Sequence, residues 1–160
     1  MTSVQLHLAL THVPVILSII GLMMLIVSFF INNNTVTKIS YILLLVAAIA
    51  AIPVYLTGEG TEEAVEHLPG VSESIIEEHE EVAKLGLFAI IGAGILALAA
   101  LLAQKWQAGV RVIRVAVLIA ALITGGLMVQ TAHLGGQIRH SEIRNGNVAS
   151  NEAGEENQEE

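Results

Sequence analysis

Residues 11–34 read THVPVILSIIGLMMLIVSFFINNN. Between Thr11 and Ile31 the only ionisable side chain is His12, at the very start. A helix needs about 20 apolar residues to cross the hydrocarbon core of a bilayer, and no soluble core requires so long an uncharged run. Thr11 is suited to N-cap such a helix, and Pro14 falls in the first turn, where a missing N–H is tolerated. The asparagines that follow mark the point where the chain leaves the lipid.

Three similar runs follow, over about 39–57, 75–103 and 112–133, and Pro53 predicts a kink near the end of the second. The expected fold is therefore all-α, an antiparallel integral membrane four-helix bundle formed by residues 1–140, with an acidic loop between helices 2 and 3. Residues 141–160, rich in Glu, Asn and Gly, read as a disordered tail. The composition agrees. The chain is 54% hydrophobic and 14% charged, where a soluble domain carries about 25% charge. Cysteine is absent, which excludes disulfides, thiolate metal sites, iron–sulfur clusters and covalently attached c-type haem. The opening residues MTSVQLHLAL have neither a basic n-region nor a small-residue cleavage site, so the first helix is expected to stay in the membrane.

Charge separates the two ends of this bundle. Lys38, Lys105, Arg111 and Arg114 flank the two short turns, whereas Lys84, Arg139 and Arg144 lie toward the other face. All 15 acidic residues are glutamates, placed between Glu59 and Glu81 or in the tail. The positive-inside bias then puts both termini and the long loop outside a bacterial inner membrane. An acidic balance of this kind excludes nucleic acid as a partner.

The six histidines collect toward the outer, acidic face. His7 and His12 open the first span, His67 and His79 lie in or near the loop, and His133 and His140 close the fourth. His7, His67 and His140 read most simply as interfacial histidines. Ser74 and Glu77 form a capping-box pattern that would start the third helix. On that helix Ile75, Val82, Ala83 and Gly86 fall within about 60° of His79, and the neighbouring glutamates fall at about 100° or more. His79 therefore belongs to an apolar, inward face. The same wheel puts Leu122, Gly126, Val129 and Gln130 within about 60° of His133. Gly126, two turns deeper, permits either close helix packing or room for a flat macrocycle. Gly92 and Gly94 permit the same two readings. His12 stands about 140° from His7 on a continuous helix; a break at Thr11 would make His12 the better ligand.

An ionisable side chain inside a membrane bundle points to function. Neutral imidazole ligates haem iron, copper or zinc. His12, His79 and His133 are accordingly the candidate metal or cofactor ligands. His79 with His133 forms the first axial pair, and His7 and His12 could complete a second site or substitute. Arg139 and Arg144 could pair with haem propionates. Met23, Met24 and Met128 offer thioethers that would favour copper, but their depth suits core filling better.

Three blocks, LHLALTHVPV, TGEGTEEAVEHLPGVSESIIEEHEEVAKLGL and AHLGGQIRH, resemble the signature of a family of four-span bacterial membrane proteins, the domain-of-unknown-function family two-two-three-one. The resemblance covers about residues 5–145. It implies that His7, His12, His79 and His133, together with Thr57, Gly58, Gly135 and Gly136, are the characteristic positions. Fusion of relatives to Rieske or cytochrome c domains implies redox work at the outer face. Leu8, Val13 and Arg139-His140 depart from the pattern.

Three functions remain open from the sequence. One is a membrane electron carrier with b-type haem on histidines, its acidic face steering a basic redox partner protein. Another is copper or zinc binding by the same histidines; a conduit would need polar residues at mid-membrane, and Ser18, Ser28, Thr124 and Gln130 are the main ones present. The third is a cofactor-free accessory subunit packed through its small residues. A hydrolytic enzyme is not expected, because no nucleophile–base pair stands out among the histidines.

Overall fold

The computed structural model describes residues 2–31, 33–68, 70–103 and 110–140. It contains six helices among the described residues: α1 (Ser3–Leu10), α2 (His12–Ile31), α3 (Asn34–Leu56), α4 (Glu59–Val65), α5 (Glu73–Ala103) and α6 (Val110–Arg139). The expected turn at 104–109 and the tail from Ser141 lie outside the described residues.

Local chemistry sets the helix ends. Thr2 and Gln5 form a capping box that starts α1. Asn33 accepts from the N–H groups of Thr35 and Val36, so α3 begins five residues before the apolar run at Ile39. The expected break at Thr11 is not a cap. Thr11 keeps helical angles, φ −50° and ψ −39°, and both its N–H and its hydroxyl bond back to the His7 carbonyl. Pro14 cannot donate to the carbonyl four residues earlier, so the regular ladder loosens at Leu10 while the chain runs on in nearly the same direction. Near the other end of the loop, α5 starts at Glu73. The Ser74 hydroxyl pairs with that of Ser72 at 3.0 Å in place of the expected capping box with Glu77. Gly70, at φ +81°, turns the chain from α4 toward α5, a conformation that glycine adopts without steric cost.

The four long helices close a ring. α2 packs on α3 and α6, and α5 packs on the same two, so each helix lies between antiparallel neighbours. Leu25, Leu44, Ile90 and Val117 are fully buried at the centre. Small residues draw the helices together: a Cβ on Gly94 would lie 2.6 Å from Ala48 Cβ, so the α3–α5 approach depends on glycine there. The periphery is the reverse of a soluble protein's. Phe30, Val112, Leu56 and Phe88 are exposed on the outside of the ring. All four long helices are long and apolar enough to cross a membrane. An apolar belt on every side fits lipid and would not persist in water. The buried hydroxyls of Ser18, Ser28 and Ser40 donate to carbonyls of Val15, Leu25 and Thr37 on their own helices, which satisfies them without a path through the core.

Candidate functional site

The end of α3 leaves carbonyls without helical N–H partners, as every helix C-terminus does. His7, reaching across from α1, adds a further donor at a carbonyl that Thr57 also meets. Its Nδ1 lies 2.9 Å from the Val54 carbonyl oxygen and 3.3 Å from Thr57 Oγ1. A carbonyl can only accept, so Nδ1 carries a proton, and in the neutral imidazole Nε2 is then the nitrogen with the lone pair. Thr57 donates its own hydroxyl proton toward Pro53 or Val54 and so has lone pairs for the imidazole. Gly58 follows, and a Cβ there would lie 3.8 Å from His7 Cε1.

His79 repeats the arrangement on α5. Its Nδ1 is 3.0 Å from the Thr131 carbonyl oxygen of α6, which again places a proton on Nδ1 and, in the neutral ring, the lone pair on Nε2. The ring lies against α6 where Gly135 removes the obstacle; a Cβ at Gly135 would stand 3.1 Å from His79 Cε1. One turn below His79's own neighbours, Gly86 admits the end of Met128, and a Cβ there would lie 2.6 Å from Met128 Cε. Met128 is thus core filling. His7 lies close enough to His79 for a charge on its ring to act there. Both rings are held by a carbonyl on an adjacent helix, a common means of orienting a ligating histidine.

The other expected site residues lie elsewhere. His12 is exposed: Thr11, between α1 and α2, keeps helical angles, and it is His7 that reaches a neighbouring helix. His133 is exposed too, and so are Leu122, Gly126, Val129 and Gln130, the residues on its side of α6. The expected inward face of His133 is therefore an outward one. There the Gln137 amide donates to His133 Nε2 at 3.0 Å. Gly126 has no neighbour within 4 Å of where a Cβ would stand. His67 is exposed beside Glu66, 3.1 Å away, and His140 is exposed. Met23 is exposed and Met24 half-buried. The side chain of Arg139 and all of Arg144 lie outside the described residues. Among the described residues no three His, Asp or Glu side chains gather as a metal site, so His12, His79 and His133 do not form one cluster.

Sequence reasoning passed over the inward seam of α6. Val117, Ala121, Thr124 and Met128 are buried at intervals of four, three and four. The same rhythm continues to Thr131 and Gly135, the two residues that receive His79. That spacing was available in the sequence and points past His133 to the glycine two residues on.

The acidic loop closes over this end. α4 packs on α1, with Gly60 against Ser3, where a Cβ would come within 2.8 Å of Ser3 Oγ. Glu62 sits on α4 with its carboxyl raised above the ordinary carboxylate range, first by partial burial and then by the charges of Glu80, Glu66, Glu59 and Glu77. The site therefore lies under a negative rim. No family model, curated protein or solved structure matches this chain, so the reading of the site rests on its own geometry.

Proposed function

We propose that the protein is a membrane electron carrier that holds a b-type haem through His7 and His79. The observation that supports this is the shared tautomer: both imidazoles donate Nδ1–H to a backbone carbonyl on a neighbouring helix and keep Nε2 as a lone-pair donor. Haem iron asks a protein for two such nitrogens. Structural zinc asks for four ligands and catalytic zinc for three, and the described residues offer no such group. The donor set thus favours haem over zinc, and it favours His7 in place of His133 as the partner of His79.

A haem held by His7 and His79 would supply reversible one-electron transfer. The chain's own part is to orient and to shield. Val54, Thr57 and Thr131 hold the two rings in one tautomer, Gly135 gives the His79 ring room, and the apolar flanks of α3, α5 and α6 keep water away. Glu62, Glu77 and Glu80 would present negative charge to a basic redox partner. On this reading the acidic end faces the outside of a bacterial inner membrane.

A reduced-minus-oxidised visible spectrum of the protein, purified in detergent after haem-replete expression, tests the proposal. A sharp α-band that disappears in both His7→Ala and His79→Ala and survives in His133→Ala is the expected result. A flat spectrum from the haem-replete protein, or a band untouched by either substitution, would overturn it. Metal analysis of the same sample identifies copper or zinc if one of them is present instead. The outward face of α6 favours a second reading, an accessory subunit. Gln130 and His133 stand exposed beside the open Gly126, a surface suited to a neighbouring transmembrane helix. That reading predicts a colourless protein that co-purifies with a larger membrane complex.

A further inference from the structure

The opposite end of the bundle has its own unmatched group. Arg114 lies in the second turn of α6 and is half-buried. Its Nη2 donates to Ser28 Oγ at 2.9 Å, and Ser28 is free to accept because its own proton goes to Leu25. The guanidinium lies over the Phe29 ring, 4.1 Å from the centroid, and close enough to Tyr41 for its charge to be felt there. Its Nε is buried and has no hydrogen-bond partner among the described residues. Arginine cannot shed its proton to escape such a setting.

Every group identified around Arg114 is neutral. All glutamates among the described residues lie between Glu59 and Glu81, at the other end. Lys38 and Arg111, at this end, add positive charge. The start of α6 adds more, because the first turn of a helix presents unpaired N–H groups and a partial positive charge. Half-burying a cation beside a helix N-terminus costs free energy unless an anion comes to it.

We propose that this end of the bundle binds the phosphate of an anionic phospholipid, with Arg114 as its principal contact and Arg111 and Lys38 at the rim. The surroundings choose a lipid over a dissolved phosphate. Phe30 and Val112, 83% and 74% exposed, belong to the apolar outside of the ring at this same end and would lie along acyl chains while the guanidinium meets the headgroup. With three cations and no carboxylate among the described residues at this end, a headgroup of net negative charge is preferred to a zwitterionic one. The site is independent of the histidine pair.

The test uses the full chain in neutral detergent, stripped of lipid, with thermal unfolding followed as phosphatidylglycerol, phosphatidylcholine or inorganic phosphate is added. Phosphatidylglycerol should raise the melting temperature at concentrations where the other two do nothing. Arg114→Gln should weaken that response about tenfold, the scale of one hydrogen bond to a charged group. Arg111→Gln should weaken it less. If Arg114→Gln fails to fold, the three additions to the unaltered protein decide by themselves. Equal shifts from both lipids, or no shift from either, would overturn the proposal. A shift from inorganic phosphate matching that from phosphatidylglycerol would overturn the lipid as its source.

Discussion

The two ends of the bundle solve the same problem in opposite ways. At the histidine end, polar rings enter from α1 and α5 and meet carbonyl oxygens of α3 and α6. His7 goes to the last turn of α3, where the helix presents partial negative charge and unpaired acceptors. At the arginine end, a permanent cation stands near the start of α6, where the helix presents partial positive charge, and its one hydrogen-bond partner among the described residues is a serine. The first arrangement is complete within the protein except for two Nε2 lone pairs. The second has no anion among the described residues. A helix terminus can supply the partner a polar side chain needs or aggravate the lack of one, and here the same fold does both.

The contrast breaks most directly at Gly135. Gly135→Val would drive its side chain into the His79 ring, since a Cβ alone already reaches to 3.1 Å of Cε1. The backbone of α6 cannot yield cheaply, so the ring must leave Thr131. Overpacking of this kind costs about 1–3 kcal/mol, and we expect the upper part of that range in thermal unfolding. Any absorbance due to haem should fall with it although both histidines are still present. A variant as stable as the parent would mean that His79 does not depend on the glycine.

Ser28→Ala sharpens the other side. It removes the hydrogen-bond partner identified for Arg114 and leaves a charged donor unpaired, at a cost of about 2 kcal/mol. Ser28→Ala combined with Arg114→Met should recover much of the loss, because a buried charge without partners is worse than none. A double variant no more stable than Ser28→Ala would show that the cation is not the cause. His7→Ala should cost less, about 1 kcal/mol, since the Thr57 N–H and hydroxyl remain within reach of Val54. Adding His79→Ala would show by its non-additivity whether the two rings act as one site.

The four crossings were legible in the sequence because length and apolarity suffice to define them. The inward side of each crossing was not, since in lipid the outer face is apolar as well and a hydrophobic wheel has no solvent side to contrast with. His79 could be oriented because its helix begins among glutamates, whose positions mark the outside. His133 has no such neighbours. Its apolar companions Leu122 and Val129 belong to the belt, and the seam of small residues ending at Gly135 is the better guide. His7 and His12 turned on a single backbone state at Thr11, a residue whose hydroxyl can cap a new helix or bond back to the old one. Arg114 counted as a flanking charge in sequence, and its inward placement depends on the approach of Ser28 from a distant helix.

The smallest expected effect concerns the acidic rim that only the histidine end possesses. The carboxyl of Glu62 is raised, first by partial burial and then by Glu80, Glu66, Glu59 and Glu77. A carboxyl raised on folding binds its proton more tightly in the folded chain. It therefore contributes stability that is fully present below its unfolded value and lost as pH rises through the folded one. The packing of α4 on α1 should accordingly tighten as pH falls from neutral into the carboxylate range, the direction opposite to ordinary acid unfolding. Hydrogen exchange of residues 59–65, corrected for the intrinsic effect of pH, would show growing protection. Glu62→Gln should begin more protected at neutral pH and lose most of the slope, with the arginine end unaffected in both proteins. An unchanged slope in Glu62→Gln would show that the Glu62 carboxyl is not the source of the pH response.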